Sequence, residues 1–114
     1  MLPELGGRMI SFTTELLGDY ARIGVRGDVD FSTTDRLVST VAETIEAGAR
    51  TIDLEMADVQ FIDSTGIGGL LRLRKRSEAQ QISFRLMNCS PGIRDILRLT
   101  GLDSVLTLVS EEEP

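Results

Sequence analysis

The chain has 114 residues, 41% of them hydrophobic and 26% charged, with a formal net charge of −6, which fits one soluble globular domain able to bury its own core. The negative balance argues against a general affinity for nucleic acid or an anionic membrane, because both need a basic surface. There is no histidine and a single cysteine, Cys89, so Ser-His-Asp and Cys-His nucleophiles, histidine-zinc sites, multi-cysteine metal sites and intrachain disulfides are excluded.

The first residues, Met1 to Arg8, lack the basic start and apolar run of a signal peptide and are expected to form a loose arm. No stretch reaches the roughly 18 apolar residues of a membrane span, so a cytoplasmic location is expected. Ile10 and Phe12, then Ala21, Ile23 and Val25, recur at alternate positions on either side of Gly18-Asp19, the pattern of a strand, a turn and a strand. Gly27-Asp28-Val29-Asp30 ends the second strand.

A helix is expected next, capped by Ser32 or Thr33, with Asp35 near the positive end of its dipole. Leu37, Val38, Val41 and Ile45 fall on one face, and Gly48 is its natural stop. Thr51 to Met56 reads as a strand with Ile52 and Leu54 on one face. The loop 57–62 leads into a second helix starting at Asp63 or Ser64, with Ile67, Leu70 and Leu71 as its apolar set. The cluster Arg72, Arg74, Lys75 and Arg76 is expected to be a solvated face of that helix. Ile82, Phe84 and Leu86 make a further strand. Ser90-Pro91 opens a third helix, serine as cap and proline in the first turn, where its missing N–H costs nothing. Ile93, Ile96 and Leu97 face inward and Gly101 ends that helix. Val105 to Val109 fits either a strand or a short helix, and Glu111 to Pro114 reads as an acidic tail.

Strands alternating with helices imply an α/β domain with a mostly parallel sheet of four to five strands, one antiparallel edge strand and helices packed on it. The expected organisation is an arm over 1–8, the domain over 9–110 and the tail over 111–114. In such sheets function gathers where strands end and helices begin. Asp28, Asp30 and the stretch 56–69 all fall there.

The stretch Phe61-Ile62-Asp63-Ser64-Thr65-Gly66-Ile67-Gly68-Gly69 is the most informative. Two hydroxyls open a helix that carries three glycines in its first turns, although glycine costs about 1 kcal/mol against alanine in a helix. Close packing of helix on sheet would explain the glycines, and so would the approach of a partner's backbone. Ser64 has an ordinary reading as a helix cap and a functional one as a phosphate acceptor, since a helix N-terminus tolerates an anion. A P-loop is excluded because no Gly-Lys-Ser/Thr follows the glycines. A nucleophile elbow fails because Ser64 lacks the preceding glycine and any histidine. Asp63 as the acceptor of a receiver domain is disfavoured by too few strand–helix units before it.

These residues resemble the STAS family, and within it the bacterial anti-sigma factor antagonists, from about Ile10 to Leu108. Gly27-Asp28-Val29-Asp30 is similar to the family's Gly-Glu-Leu-Asp turn, with mild departures at Asp28 and Val29. Asp63-Ser64-Thr65-Gly66-Ile67-Gly68 is similar to its Asp-Ser-Ser/Thr-Gly-Leu-Gly signature. Ser90-Pro91 with Leu99-Thr100-Gly101-Leu102 resembles its last helix and exit. The resemblance implies a non-enzymatic partner switch without a cofactor. Unphosphorylated, such an antagonist binds an anti-sigma factor that is also a serine kinase, and so frees a sigma factor. Phosphorylation of the signature serine ends the binding, and a PP2C-type phosphatase restores it. Carried over, the acceptor is Ser64, the neighbouring turn aspartate is Asp30, and Asp28, Asp63, Thr65, Gly66, Ile67 and Gly68 complete the partner surface of a monomer or weak dimer. A STAS scaffold or transport-complex module that binds without phosphorylation is the alternative. A small ligand-binding or enzymatic domain is a third reading, which a deep polar pocket away from Ser64 would favour.

Overall fold

The computed structural model describes residues 10–111. The expected arm and residues 112–114 of the expected tail lie outside them. Five strands form one sheet in the order β1 (Ser11–Leu17), β2 (Tyr20–Arg26), β3 (Thr51–Asp58), β4 (Ser83–Met87) and β5 (Thr107–Val109). The first pair is antiparallel and the others are parallel. Gly18, at φ +62°, makes the tight turn between β1 and β2. The undecided stretch 105–109 resolves into β5, entered through a 3₁₀ turn over Leu102–Ser104 that Gly101 starts in the left-handed conformation.

Three helices connect the parallel strands: α1 (Thr34–Glu46), α2 (Ser64–Ala79) and α3 (Pro91–Leu99). Strands in sequential order with right-handed crossovers carry all their helices on one face of the sheet. The register agrees. Ala21, Ile23 and Val25 of β2, Ile52, Leu54 and Met56 of β3, and Leu86 of β4 are buried together with Leu37 and Val41 of α1, Leu70 and Leu73 of α2, and Ile93 and Leu97 of α3. α2 seats Leu73 in the core where the sequence pattern favoured Leu71, which is only half-buried. The buried stripe runs through Gly66, Gly69, Leu70, Leu73 and Ser77, the 3–4 spacing of one helical face. The basic residues beside it form the expected solvated face, with Arg74 paired to Glu78 at 2.8 Å.

The opposite face of the sheet is polar. Arg85 grips Asp53 through Nε–Oδ1 at 2.7 Å and Nη2–Oδ2 at 2.8 Å, and the Tyr20 hydroxyl donates to Oδ2 at 2.8 Å. Next to this set, Glu55 accepts from Arg22 at 2.7 Å and from the Asn88 amide at 3.0 Å. Glu111, the first residue of the expected tail, accepts from Arg22 at 3.2 Å, and its backbone N–H donates to Asn88 at 2.8 Å.

Candidate functional site

Two segments leave the sheet side by side at the carboxyl ends of β2 and β3. The Val29 N–H donates to the Phe61 carbonyl at 2.9 Å, the Asp63 N–H donates to the Val29 carbonyl at 3.1 Å, and Val29 and Ile62 form a parallel bridge. Val29 and Ile62 are buried beneath this seam. The turn containing Asp28 and Asp30 is thereby fixed beside the start of α2, so the structure brings together the two motifs that lie far apart in sequence.

The cap of α2 is Asp63, not Ser64. Its Oδ1 accepts from the Gly66 N–H at 2.9 Å, and its Oδ2 accepts from the Phe31 N–H at 3.1 Å. One carboxylate thus satisfies a helix-end donor and pins the neighbouring turn. Ser64 becomes the first residue of the helix, exposed, and its hydroxyl makes no hydrogen bond among the described residues. Thr65 is exposed as well. The N–H groups of both lie in the first turn, where a helix offers no acceptor of its own.

Asp30 organises the turn. Its Oδ1 accepts from the Ser32 N–H at 2.9 Å and the Ser32 hydroxyl at 2.7 Å. These bonds, above all the one from the Ser32 hydroxyl, hold its carboxyl below the ordinary aspartate range. Its carbonyl takes the Thr34 N–H and hydroxyl at 2.9 and 2.6 Å. Thr33 stands at the cap position of α1 but makes no side-chain cap bond. Its hydroxyl turns back instead, donating to the Asp28 carbonyl at 2.7 Å and accepting from the Asp30 N–H at 2.9 Å. Neither residue expected to cap α1 does so, because the acidic turn claims both. The Asp28 side chain is half-buried and makes no hydrogen bond among the described residues.

The three glycines divide. A Cβ on Gly66 would lie 2.6 Å from the Val29 carbonyl oxygen and 2.7 Å from Ile62 Cγ1, and one on Gly69 would strike the Thr34 methyl group. Both let α2 press onto its neighbours. A Cβ on Gly68 would meet nothing within 4 Å. Ile67 is half-buried against the core. Of the edge Gly66-Ile67-Gly68, then, only Gly68 leaves open space outside.

Two side chains of this region escaped the sequence reading. Phe31 is 79% exposed and Phe61 49% exposed, on the two segments that the Val29 seam joins. The available signal was that neither fits the apolar spacing of an adjacent element.

Away from Ser64, a cavity of about 660 Å³ opens beside α3, lined by residues that include Asn88, Cys89, Ser90, Arg94 and Glu111. Burial pushes the Cys89 thiol up to about 11, and the Glu111 carboxylate is held below its usual range by hydrogen bonds from Arg22 and Asn88. Among the described residues no group of three or more His, Cys, Asp or Glu is placed to hold a metal ion, and no helix is long and apolar enough to cross a membrane.

Comparison with known proteins agrees with this geometry. The STAS domain matches residues 13–113. The chain belongs to the STAS domain family. The anti-sigma-B factor antagonist of Bacillus subtilis is 25% identical to this STAS domain over 92 residues, which cover 81% of this chain and 84% of that protein. Human sulfate anion transporter 1 is 39% identical over a shorter stretch of 66 residues, 56% of this chain but only 9% of the transporter. Among solved structures, the anti-sigma factor antagonist SpoIIAA in its unphosphorylated form superposes with a TM-score of 0.73 at 24% identity, covering 90% of each chain. The phosphorylated Bacillus form of SpoIIAA superposes at 0.67 with 23% identity, over 90% of this chain and 94% of that one. The fold is therefore that of SpoIIAA.

Proposed function

We propose that this STAS domain is an anti-sigma factor antagonist switched by phosphorylation of Ser64. Unphosphorylated, it binds in the cytoplasm to an anti-sigma factor that is also a serine kinase, and so frees a sigma factor. The kinase transfers the γ-phosphoryl group of ATP to Ser64 Oγ, the hydroxyl proton passing to the kinase's own base, and binding ends. A PP2C-type phosphatase hydrolyses the phosphoserine and resets the switch. The observation that carries this reading is the division of labour at the start of α2: Asp63 does the capping, which leaves the Ser64 hydroxyl exposed and uncommitted.

The charge arithmetic supports a switch. Phosphoserine carries about −1.5 to −2 charges at neutral pH. The N-terminus of α2 can hold that charge on the free domain, because its dipole and free N–H groups favour an anion. In a complex the same phosphate is desolvated beside Asp28, Asp30 and Asp63 and faces the remaining phosphates of the kinase's nucleotide, from which it was transferred. Like charges brought together across an interface cost several kcal/mol, and every ~1.4 kcal/mol is tenfold in affinity. Titration with the kinase should show Ser64→Asp binding about a hundredfold more weakly than wild type and Ser64→Ala binding within a few-fold of it. Equal binding by Ser64→Asp would refute the switch.

The likeness to a segment of the human sulfate anion transporter favours a second reading, a STAS module that docks partners without being phosphorylated. Incubation with ATP and the kinase, read by intact mass, separates the two. One added phosphate, lost in Ser64→Ala, supports the switch. An unchanged mass supports the docking module.

A further inference from the structure

We infer that Phe31 and Phe61 are the anchors by which the partner recognises this domain: the partner face is an apolar pocket with a basic rim, and it takes the two rings carried by the segments that the Val29 seam joins beside the start of α2. This inference rests on the reading of Ser64 as the centre of the kinase-binding surface, and it names the chemistry of that partner.

Single exposed apolar side chains are ordinary, so exposure alone does not carry the point. What distinguishes these two is how they are held. The Phe31 N–H is fixed by Asp63 Oδ2 at 3.1 Å, and the Phe61 carbonyl by the Val29 N–H at 2.9 Å. Both backbones are therefore immobilised by the acidic turn and the helix start, while the rings stay 79% and 49% exposed. Preorganised aromatics lose little entropy on docking, and aromatic side chains dominate binding hot spots. The bonds at positions 31 and 61 use backbone atoms alone, so a polar side chain at either position would leave them in place.

The surroundings choose the occupant. Asp28 and Asp30 share the turn with Phe31, and Asp63 follows Phe61 by two residues and holds the Phe31 N–H, so the complementary surface is basic around an apolar centre. A second copy fits poorly. In a two-fold dimer the same patch meets itself, and the three aspartates would face their own copies. An anionic lipid surface is repelled by the same acids. An anti-sigma kinase with a basic rim around its nucleotide site satisfies both the charge and the apolar demand.

The test uses the full chain and the purified anti-sigma kinases of its source organism, with affinity from calorimetry and steady-state phosphorylation of Ser64 as a second readout. Phe31→Ser and Phe61→Ser should each weaken binding at least tenfold. Each should raise KM for phosphorylation by a similar factor while leaving kcat within about twofold, since neither ring touches the reacting atoms. Leu99→Ser, at an 81% exposed leucine at the end of α3, is the control and should bind as wild type. Melting temperatures within a degree or two of wild type guard against misfolding. Wild-type affinity in both phenylalanine variants overturns the inference while leaving the Ser64 switch intact. The inference is also overturned if sedimentation shows a wild-type dimer that Phe31→Ser dissociates without any effect on kinase binding. Failure of the wild-type chain to bind any of the kinases overturns the inference and the switch together.

Discussion

Asp63 does two jobs with one carboxylate. It caps α2 through the Gly66 N–H and holds the Phe31 N–H of the acidic turn. Replacing a capping aspartate by alanine costs roughly 0.5–2 kcal/mol, and the loss here should reach the upper end, about 2 kcal/mol, because the bond that ties the acidic turn to the helix start is lost with the cap. Asp63→Asn should keep most of the stability, since its amide oxygen can still accept one of the bonds. Urea unfolding of the two variants decides it, and an Asp63→Ala midpoint equal to wild type would sink the argument. The sequence could not divide these roles. Asp63 and Ser64 are both good capping residues at adjacent positions, and only the direction of the chain leaving the Val29 seam determines which one sits outside the helix. Phe31 and Phe61 were hidden for a related reason, because exposure is set by how two distant loops pair.

At the scale of the element, α2 explains why one helix tolerates three glycines so near its start. Gly66 and Gly69 are sites of close approach, to the Val29 carbonyl and to Thr34 of α1. Gly68 has no such neighbour, so its glycine relieves no crowding within the domain. Gly66→Ala should destabilise by about 1–3 kcal/mol, the usual cost of forcing an added methyl group into a packed site. Gly68→Ala should stabilise by up to ~1 kcal/mol through helix propensity. If a partner's backbone approaches this edge, the same Gly68→Ala chain will bind the kinase more weakly despite its greater stability. Thermal melts paired with binding titrations read both effects, and a Gly68→Ala variant that is less stable than wild type would contradict the assignment. Spacing alone left packing and partner approach equally open. Packing accounts for Gly66 and Gly69 and not for Gly68, a division that depends on the crossing of α1 and α2 and is invisible to a one-dimensional pattern.

For the molecule as a whole, alternation and helical spacing made the strand–helix order and the apolar face of the sheet legible, because both follow from periodicities of the chain itself. The opposite face was not legible. Asp53 sits between Ile52 and Leu54 and looks like an outward polar residue, yet it is only 2% exposed. Its burial depends on Arg85 and Tyr20 from the two flanking strands, a relation that only the register supplies. Burial alone would raise the Asp53 carboxyl, but hydrogen bonds from Arg85 and Tyr20 outweigh it and leave the group below its ordinary value. The native state then holds its proton less tightly than the unfolded chain. The pair's contribution is therefore complete above the unfolded aspartate value of about 3.9 and fades as pH falls through the lower folded value. Asp53→Asn should cost about 2 kcal/mol at pH 7. That is less than the ~3–5 kcal/mol for breaking a fully buried pair, because the Arg85 side chain keeps 36% of its surface exposed and water screens it. The gap between variant and wild type should stay constant from pH 7 to about 5 and narrow steadily toward pH 3. Urea unfolding across that range measures it. A gap that stays the same at pH 3 would mean that Asp53 contributes through packing and shape, and that its charge is not what joins β2, β3 and β4 across the polar face.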